Sequence, residues 1–425
     1  MQAARSFVPQ GAVTVAGADT ILAAGFVLLI AFYSGRLFAG LGLPKLTGYI
    51  AAGVVFGPSA IELLSEQMLT DLRLVNGVAV CLIALSAGIE TDLRALRSLL
   101  KAIAWISALA VLGTIALLTL TLFLLKDYLS FFHGLDVLQA VSVAGVLAVT
   151  IAAQSPAVVV ALREELRADG PLIRTILGVV VIADLLVIVC FALMSSVAQM
   201  SLGGGPGVQA TVQKMLWEIF GSIGAGLVVA LAFFTYLRKV RQNEAMFLLA
   251  VCIVVAEIGQ RIELDPLIVA LTAGVTLKNT TGLGERLVSS IEVTTTPVFV
   301  LFFAVAGATI HLDVLASVGP IALLLVVVRA AGFFGGNAVA SRIANAPSVV
   351  VKYAAFGLLP QAGLALALAL LFSQTFPSLG QSAAGLVLGV VAINELIAPV
   401  LLRTVLLRSG EGKNITETVP QSAAS

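Results

Sequence analysis

Apolar residues run along this chain in long blocks, not in the alternation of a strand or the one-sided stripe of a soluble helix. Each block ends at a short cluster of charged residues, glycine or proline. A bilayer core about 30 Å thick takes roughly 20 apolar residues per helix. On that length the chain predicts thirteen spans, at 19–39, 46–63, 73–89, 101–125, 137–162, 173–200, 214–237, 243–260, 264–280, 290–310, 317–341, 350–373 and 383–407. The second span, interrupted by Gly48, Gly53, Gly57 and Pro58, and the short ninth are expected to be tilted or partly unwound. The expected fold is an all-α polytopic membrane protein over residues 1–408, with a short polar tail over 409–425.

Composition agrees with the pattern. Of the 425 residues 60% are hydrophobic and 11% charged, which leaves no material for the surface of a soluble enzyme domain. The formal charge of +1 argues against a nucleic-acid partner. Cys81, Cys190 and Cys252 lie inside apolar blocks with no CxxC or Cys/His spacing, so no cofactor is implied. Lysine and arginine concentrate in cytoplasmic loops, and here eighteen fall after odd-numbered spans or in the tail against five on the other side. The N-terminus is therefore expected outside and the C-terminus in the cytoplasm, in a multi-pass protein of the cell (inner) membrane. The glycine-rich stretch Gly203–Gly207 reads as an outer loop, not a phosphate cradle, because no Lys-Ser/Thr follows it. The tail is too short for a nucleotide-binding domain, so regulation is expected from the membrane part or from a separate chain.

The basic residue left over from the two-sided count is Arg329, in the middle of a span. Asp184 and Glu395 share that depth. Each ionisable group at mid-membrane costs at least about 2.5–3.5 kcal/mol and needs a partner, a water-filled cavity or a task. Asp184, alone in Val179–Val187, reads either as a proton or cation site or as a carboxylate that holds helices together. Arg329 keeps its charge in any environment, so it is expected to compensate a buried carboxylate, Asp184 or Glu395. For Glu395, structural pairing and proton handling stand equal.

Two spans carry polar, helix-breaking centres: Thr150-Ile151-Ala152-Ala153-Gln154-Ser155-Pro156 and Gly357-Leu358-Leu359-Pro360-Gln361-Ala362-Gly363. Proline removes a backbone donor and frees a carbonyl. A single such site would be a simple kink. Two in corresponding halves, each followed by a helix with a buried acid, are the signature of inverted repeats whose broken helices cross at the midplane.

These features resemble the monovalent cation:proton antiporter superfamily, of the Kef-type and bacterial sodium/proton exchanger kind, over about residues 20–408. The most specific stretch is Gly42-Leu43-Pro44-Lys45-Leu46-Thr47-Gly48-Tyr49 through Gly53 to Gly57-Pro58. Ala87-Gly88-Ile89-Glu90-Thr91-Asp92 and Ala256-Glu257-Ile258-Gly259 leading to Ala273-Gly274 are similar to further family segments. The resemblance implies a thirteen-helix fold with a dimerisation domain and a core domain, hence a homodimer. It also implies that Asp184 binds cation and proton in turn, that Gln154-Ser155-Pro156 is the first unwound segment, and that Arg329 is the basic residue of the third core helix. The chain departs from the family in having Ala183 before Asp184, and no acid in Pro360-Gln361-Ala362-Gly363.

A single carboxylate holds either one proton or one monovalent cation. The expected activity is therefore electroneutral exchange of Na⁺ or K⁺ for H⁺ through Asp184, with the Ser155 and Thr150 hydroxyls and freed carbonyls as further ligands. Three rival readings remain at this point: a gated channel of the potassium-efflux kind, a sodium-coupled carrier of an organic anion, and a non-transporting sensor on the same fold.

Overall fold

The computed structural model describes residues 18–203, 208–240, 243–281, 284–310, 312–361 and 363–413. The first residues up to 17, the glycine-rich 204–207, Arg241, Ala362 and the tail beyond Lys413 lie outside the described residues. Among the described residues every regular element is a helix.

In chain order the main helices are α1 (Ala18–Gly40), α2 (Lys45–Phe56), α3 (Arg73–Glu90), α4 (Leu100–Leu124), α5 (Val137–Ala152), α6 (Pro156–Leu166), α7 (Pro171–Ser201) and α8 (Val208–Lys239). They continue with α9 (Glu244–Ile262), α10 (Pro266–Thr281), α11 (Gly284–Ala308), α12 (Leu312–Ile343), α13 (Ser348–Tyr353, prolonged by a 3-10 turn over Ala354–Leu358), α14 (Gly363–Thr375) and α15 (Pro377–Arg408). Among the described residues, seven spans, with α5 and α6 counted as one, are long and apolar enough to cross a membrane; the α13–α14 pair, bent by 44°, makes eight if counted as one span. The thirteen expected spans are therefore not all matched by length and apolarity. Lys45–Phe56, Leu74–Ile89 and Thr296–Ala308 are shorter apolar helices. α9 carries the Glu257–Arg261 ion pair, closed at 2.6 Å, near its end.

The helices sort into two groups by what they touch. In one, α12 packs along α4 and α15, α4 along α5 and α7, and α14 along α15. In the other, α10 packs along α3 and α8, α2 along α1 and α11, and α3 along α9 and α11. The groups meet where α7 lies on α8 and where α6 approaches α2 and α3. Lipid tails give helices no hydrophobic reason to associate, so close backbone approach through small residues has to supply the contact. Gly332 and Gly336, one turn apart on α12, lie against Thr114 and Ala110 of α4, and a Cβ on Gly336 would stand 2.4 Å from the Ala110 Cα. Gly88 of α3 and Gly274 of α10 face each other in the same way, a Cβ on either coming within 2.9 Å of the other's Cα. The most family-like segments of the sequence thus include the packing seams of the second group.

The first group is built twice. A long helix (α4), a broken one (α5/α6) and a long helix (α7) recur later as α12, α13/α14 and α15. Asp184, Arg329 and Glu395 sit within α7, α12 and α15, all three buried.

Candidate ion-binding site

The first break is a true chain interruption. α5 stops at Ala152, and α6 begins anew with Pro156 as its first residue. Proline fits there because the first turn of a helix has no partner for its N–H anyway. Ser155 is the N-cap, its Oγ accepting the Val158 N–H at 3.4 Å. In the second break the 3-10 turn ends at Leu358, Leu359 to Gln361 form the crossing, and α14 starts at Gly363. Pro360 again leaves a carbonyl on its amino side without a helical donor.

Those freed carbonyls are where Arg329 goes. Its Nε donates to the carbonyl of Ile151 at 2.8 Å, and one terminal nitrogen, Nη1, to Leu359 at 2.7 Å. The other, Nη2, serves Ala153 at 2.9 Å and Leu358 at 3.2 Å. The residue is wholly buried, and its guanidinium carbon lies 4.7 Å from the centre of the Phe333 ring. The carbonyl end of a helix carries about half a negative charge. One guanidinium placed between two such ends therefore meets a comparable amount of opposite charge without any carboxylate. Arg329 was expected to compensate Asp184 or Glu395; among the described residues it forms no direct ion pair with either and spends its donors on backbone carbonyls. The cause is geometric, since a planar fork of donors matches several carbonyls at once.

The second crossing segment is tied to the first by Gln361. Its Nε2 donates to the Ile151 carbonyl at 2.8 Å, and its Oε1 accepts from Asn394 Nδ2 at 2.7 Å. Asn394 also donates to the Val390 carbonyl of its own helix at 3.1 Å, so its bond to Gln361 joins α15 to the crossing. Sequence reading had not singled out Asn394. Its one signal was its place beside Glu395 in an apolar helix.

The remaining candidates behave differently. Asp184 is 5% exposed, and its Oδ1 has no hydrogen-bond partner among the described residues. Gln154 is 1% exposed with neither amide atom partnered. Thr150 donates its hydroxyl to the Val146 carbonyl at 2.9 Å, leaving its oxygen lone pairs available. α7 packs along both α5 and α6, so Asp184 stands on the helix that flanks the break. Glu395 is 2% exposed and neither of its oxygens is partnered among the described residues. Buried polar atoms are nearly always hydrogen-bonded, and those that are not call for an explanation such as a ligand or a proton. The crossing carbonyls are satisfied; Asp184, Gln154 and Glu395 are not.

At the end of α6, between it and α1, α2 and α11, lies a cavity of about 620 Å³ bordered by Arg36, Lys45, Tyr49, Arg163, Glu165 and Asp169.

Residues 25–408 match the family model for the transmembrane region of sodium/hydrogen exchangers. An iron transporter, MagA, of Paramagnetospirillum magneticum is 29% identical over 41% of this chain and 37% of its own length. A probable Na(+)/H(+) antiporter 3 of Methanocaldococcus jannaschii is 24% identical over 71% of this chain and 74% of its own. A K(+) efflux antiporter 4 of Arabidopsis thaliana is 28% identical over 68% of this chain and 48% of its own. The chain thus spans less than half the length of two of these relatives. Among solved structures, the sodium proton antiporter MjNhaP1 of Methanocaldococcus jannaschii superposes with a TM-score of 0.70 at 14% identity, covering 92% of this chain and 99% of that one.

Proposed function

Since this chain belongs to the sodium/hydrogen exchanger family, we propose that it exchanges a monovalent cation, Na⁺ or K⁺, for H⁺, with Asp184 as the group that carries each in turn. The observation that carries this reading is the buried Asp184 carboxylate, whose Oδ1 has no partner among the described residues and which stands on the helix flanking a break. Arg329 already balances the carbonyl ends of the crossing segments. A cation arriving there would meet a neutralised frame and one carboxylate. Gln154, Thr150 and Ser155 supply amide and hydroxyl oxygens on the neighbouring break, hard donors suited to Na⁺ or K⁺. Pro360, Gln361 and Gly363 shape the second half of the frame without adding charge.

One carboxylate that is either protonated or cation-bound exchanges one charge for one charge, so the cycle is electroneutral. The group of α4–α7 and α12–α15 moves as the core past the group of α1–α3 and α8–α11, which acts as scaffold and as the contact between two subunits. The N-terminus lies outside and the C-terminus in the cytoplasm, which puts the cavity beside α6 on the cytoplasmic face. The test is acidification or alkalinisation of proteoliposomes under imposed Na⁺, K⁺ or Li⁺ gradients. Cation-dependent proton movement supports the reading, and a cation flux without proton movement would point instead to a channel.

A further inference from the structure

The stretch Gly42–Pro58, the most distinctive of the sequence, opens at the junction of the two helix groups. α2 begins at Lys45, and its N-cap, Pro44, has no side chain that can cap it. The first N–H groups of a helix have no partner within it, and its amino end carries about half a positive charge, which favours a carboxylate. Here the carboxylate comes from the other helix group. Both oxygens of Glu165, at the end of α6, lie on the Lys45 N–H, at 3.0 and 3.2 Å. The neighbouring Glu164 accepts the Ser86 hydroxyl of α3 at 2.9 Å. From α15, Arg403 donates through Nη1 to the Gly42 carbonyl, in the turn before α2, at 2.6 Å. Three side chains of the core group thus hold three places on the scaffold group, all beside the end of α6.

Each of these bonds has one ionised partner, which makes it about twice as strong as a neutral one. Ser86 is buried and the two glutamates are half-buried, which limits the competition from water. Lys45, Glu164 and Glu165 also border the cavity of about 620 Å³. Its wall is shared: Ala161 comes from α6, whereas Phe32, Phe299 and Phe303 come from α1 and α11. A cavity walled by both groups in this way exists in one relative position of the two, and the three bonds fix that position.

We propose that Glu164, Glu165 and Arg403 form a latch between core and scaffold, which holds the core where this cavity is open and must break and re-form in every exchange cycle. The latch rests on the antiport reading above and adds to it the residues that set the balance between the two positions. In the rival reading the glutamates only draw cations into the cavity, or only cap α2.

Glu165→Gln, Ser86→Ala and Arg403→Gln each weaken one bond, yet they remove a negative charge, no charge and a positive charge respectively. The measurement is the KM for Na⁺ or K⁺, whichever drives proton movement in wild-type vesicles, applied from each face in right-side-out and inside-out vesicles. Apparent affinity on a face is reduced by the fraction of molecules open there, so a weaker latch should lower KM at least about threefold on the face opposite the end of α6 and change it less than about twofold on the α6 face. All three variants should behave alike. Damage to the fold would raise KM or abolish exchange on both faces. Opposite shifts for Glu165→Gln and Arg403→Gln would assign the glutamates to drawing in cations, and an unchanged KM on both faces would leave them as caps; either result overturns the latch.

Hydrogen exchange at the Lys45 amide reads the same contact without transport. It should be faster than in wild type in all three variants, including Ser86→Ala and Arg403→Gln, which leave Glu165 in place; wild-type protection in those two overturns the latch. Should a charged-residue variant fail to elute as folded protein, Ser86→Ala, which loses one hydroxyl, decides by both readouts. Wild-type vesicles that exchange no cation for protons would sink the antiport reading, and exchange at the Lys45 amide would still decide the latch.

Discussion

Arg329 and Gln361 donate to the same oxygen, the carbonyl of Ile151, each at 2.8 Å. That carbonyl is freed where α5 breaks off ahead of Pro156, and the two donors come from the other half of the molecule, one from α12 and one from the second break. The crossing is held shut by a cation and an amide working on backbone, which leaves the nearby acids out of the pairing.

Arg329→Met should be strongly destabilising, because the carbonyls of Ala153, Leu358 and Leu359 lose their donor while that of Ile151 keeps Gln361, and each orphaned buried polar group costs about 1–3 kcal/mol. Arg329→Lys should fall between, keeping the charge but losing the fork. The pH profile of any residual exchange should stay at its wild-type position in both, as Arg329 forms no pair with Asp184. Thermal melting in detergent and exchange rates across pH check the two halves; a shifted profile at wild-type melting temperature would restore the carboxylate partner.

Gln361 and Asn394 should be energetically coupled. A double-mutant cycle with Gln361→Ala and Asn394→Ala is expected to give an interaction of about 0.5–3 kcal/mol, the range for residues sharing a hydrogen bond. Additive losses would mean that their 2.7 Å contact contributes nothing.

Glu395→Gln replaces a buried carboxyl that has no partner among the described residues by a neutral group of the same shape. The melting temperature should hold or rise, since an unpaired ionisable group is costly to bury. A marked fall would show that Glu395 has an ionic partner.

The blocks of apolar residues made the class of fold readable, and Pro156 and Pro360 marked both breaks, because proline's missing N–H is a property of the letter itself. Asp184, Arg329 and Glu395 stood out for the same reason, charge in an apolar run. What sequence could not show was the partner of Arg329. Carbonyls have no letter, and the four that bind it exist as acceptors only because the chain breaks at two places 208 residues apart, at Ile151 and Leu359. The count of thirteen spans rested on apolar length, which the shorter apolar stretches Lys45–Phe56, Leu74–Ile89 and Thr296–Ala308, in α2, α3 and α11, do not meet among the described residues.

Exchange through one carboxylate should move no net charge. A potential clamped with K⁺ and valinomycin in Na⁺-loaded vesicles should leave the rate of Na⁺-driven proton movement unchanged. A steep voltage dependence would bring Glu395 in as a second proton carrier.

The central claim is that Asp184 carries both ions, and Asp184→Asn in proteoliposomes tests it most directly. The amide keeps the size of the side chain while removing its charge and its ability to exchange a proton. The variant should elute and melt as the wild type does, yet show no proton movement under Na⁺ or K⁺ gradients beyond that of protein-free vesicles. Coupled exchange at a rate comparable with wild type would contradict the account and move the ion site elsewhere in the bundle.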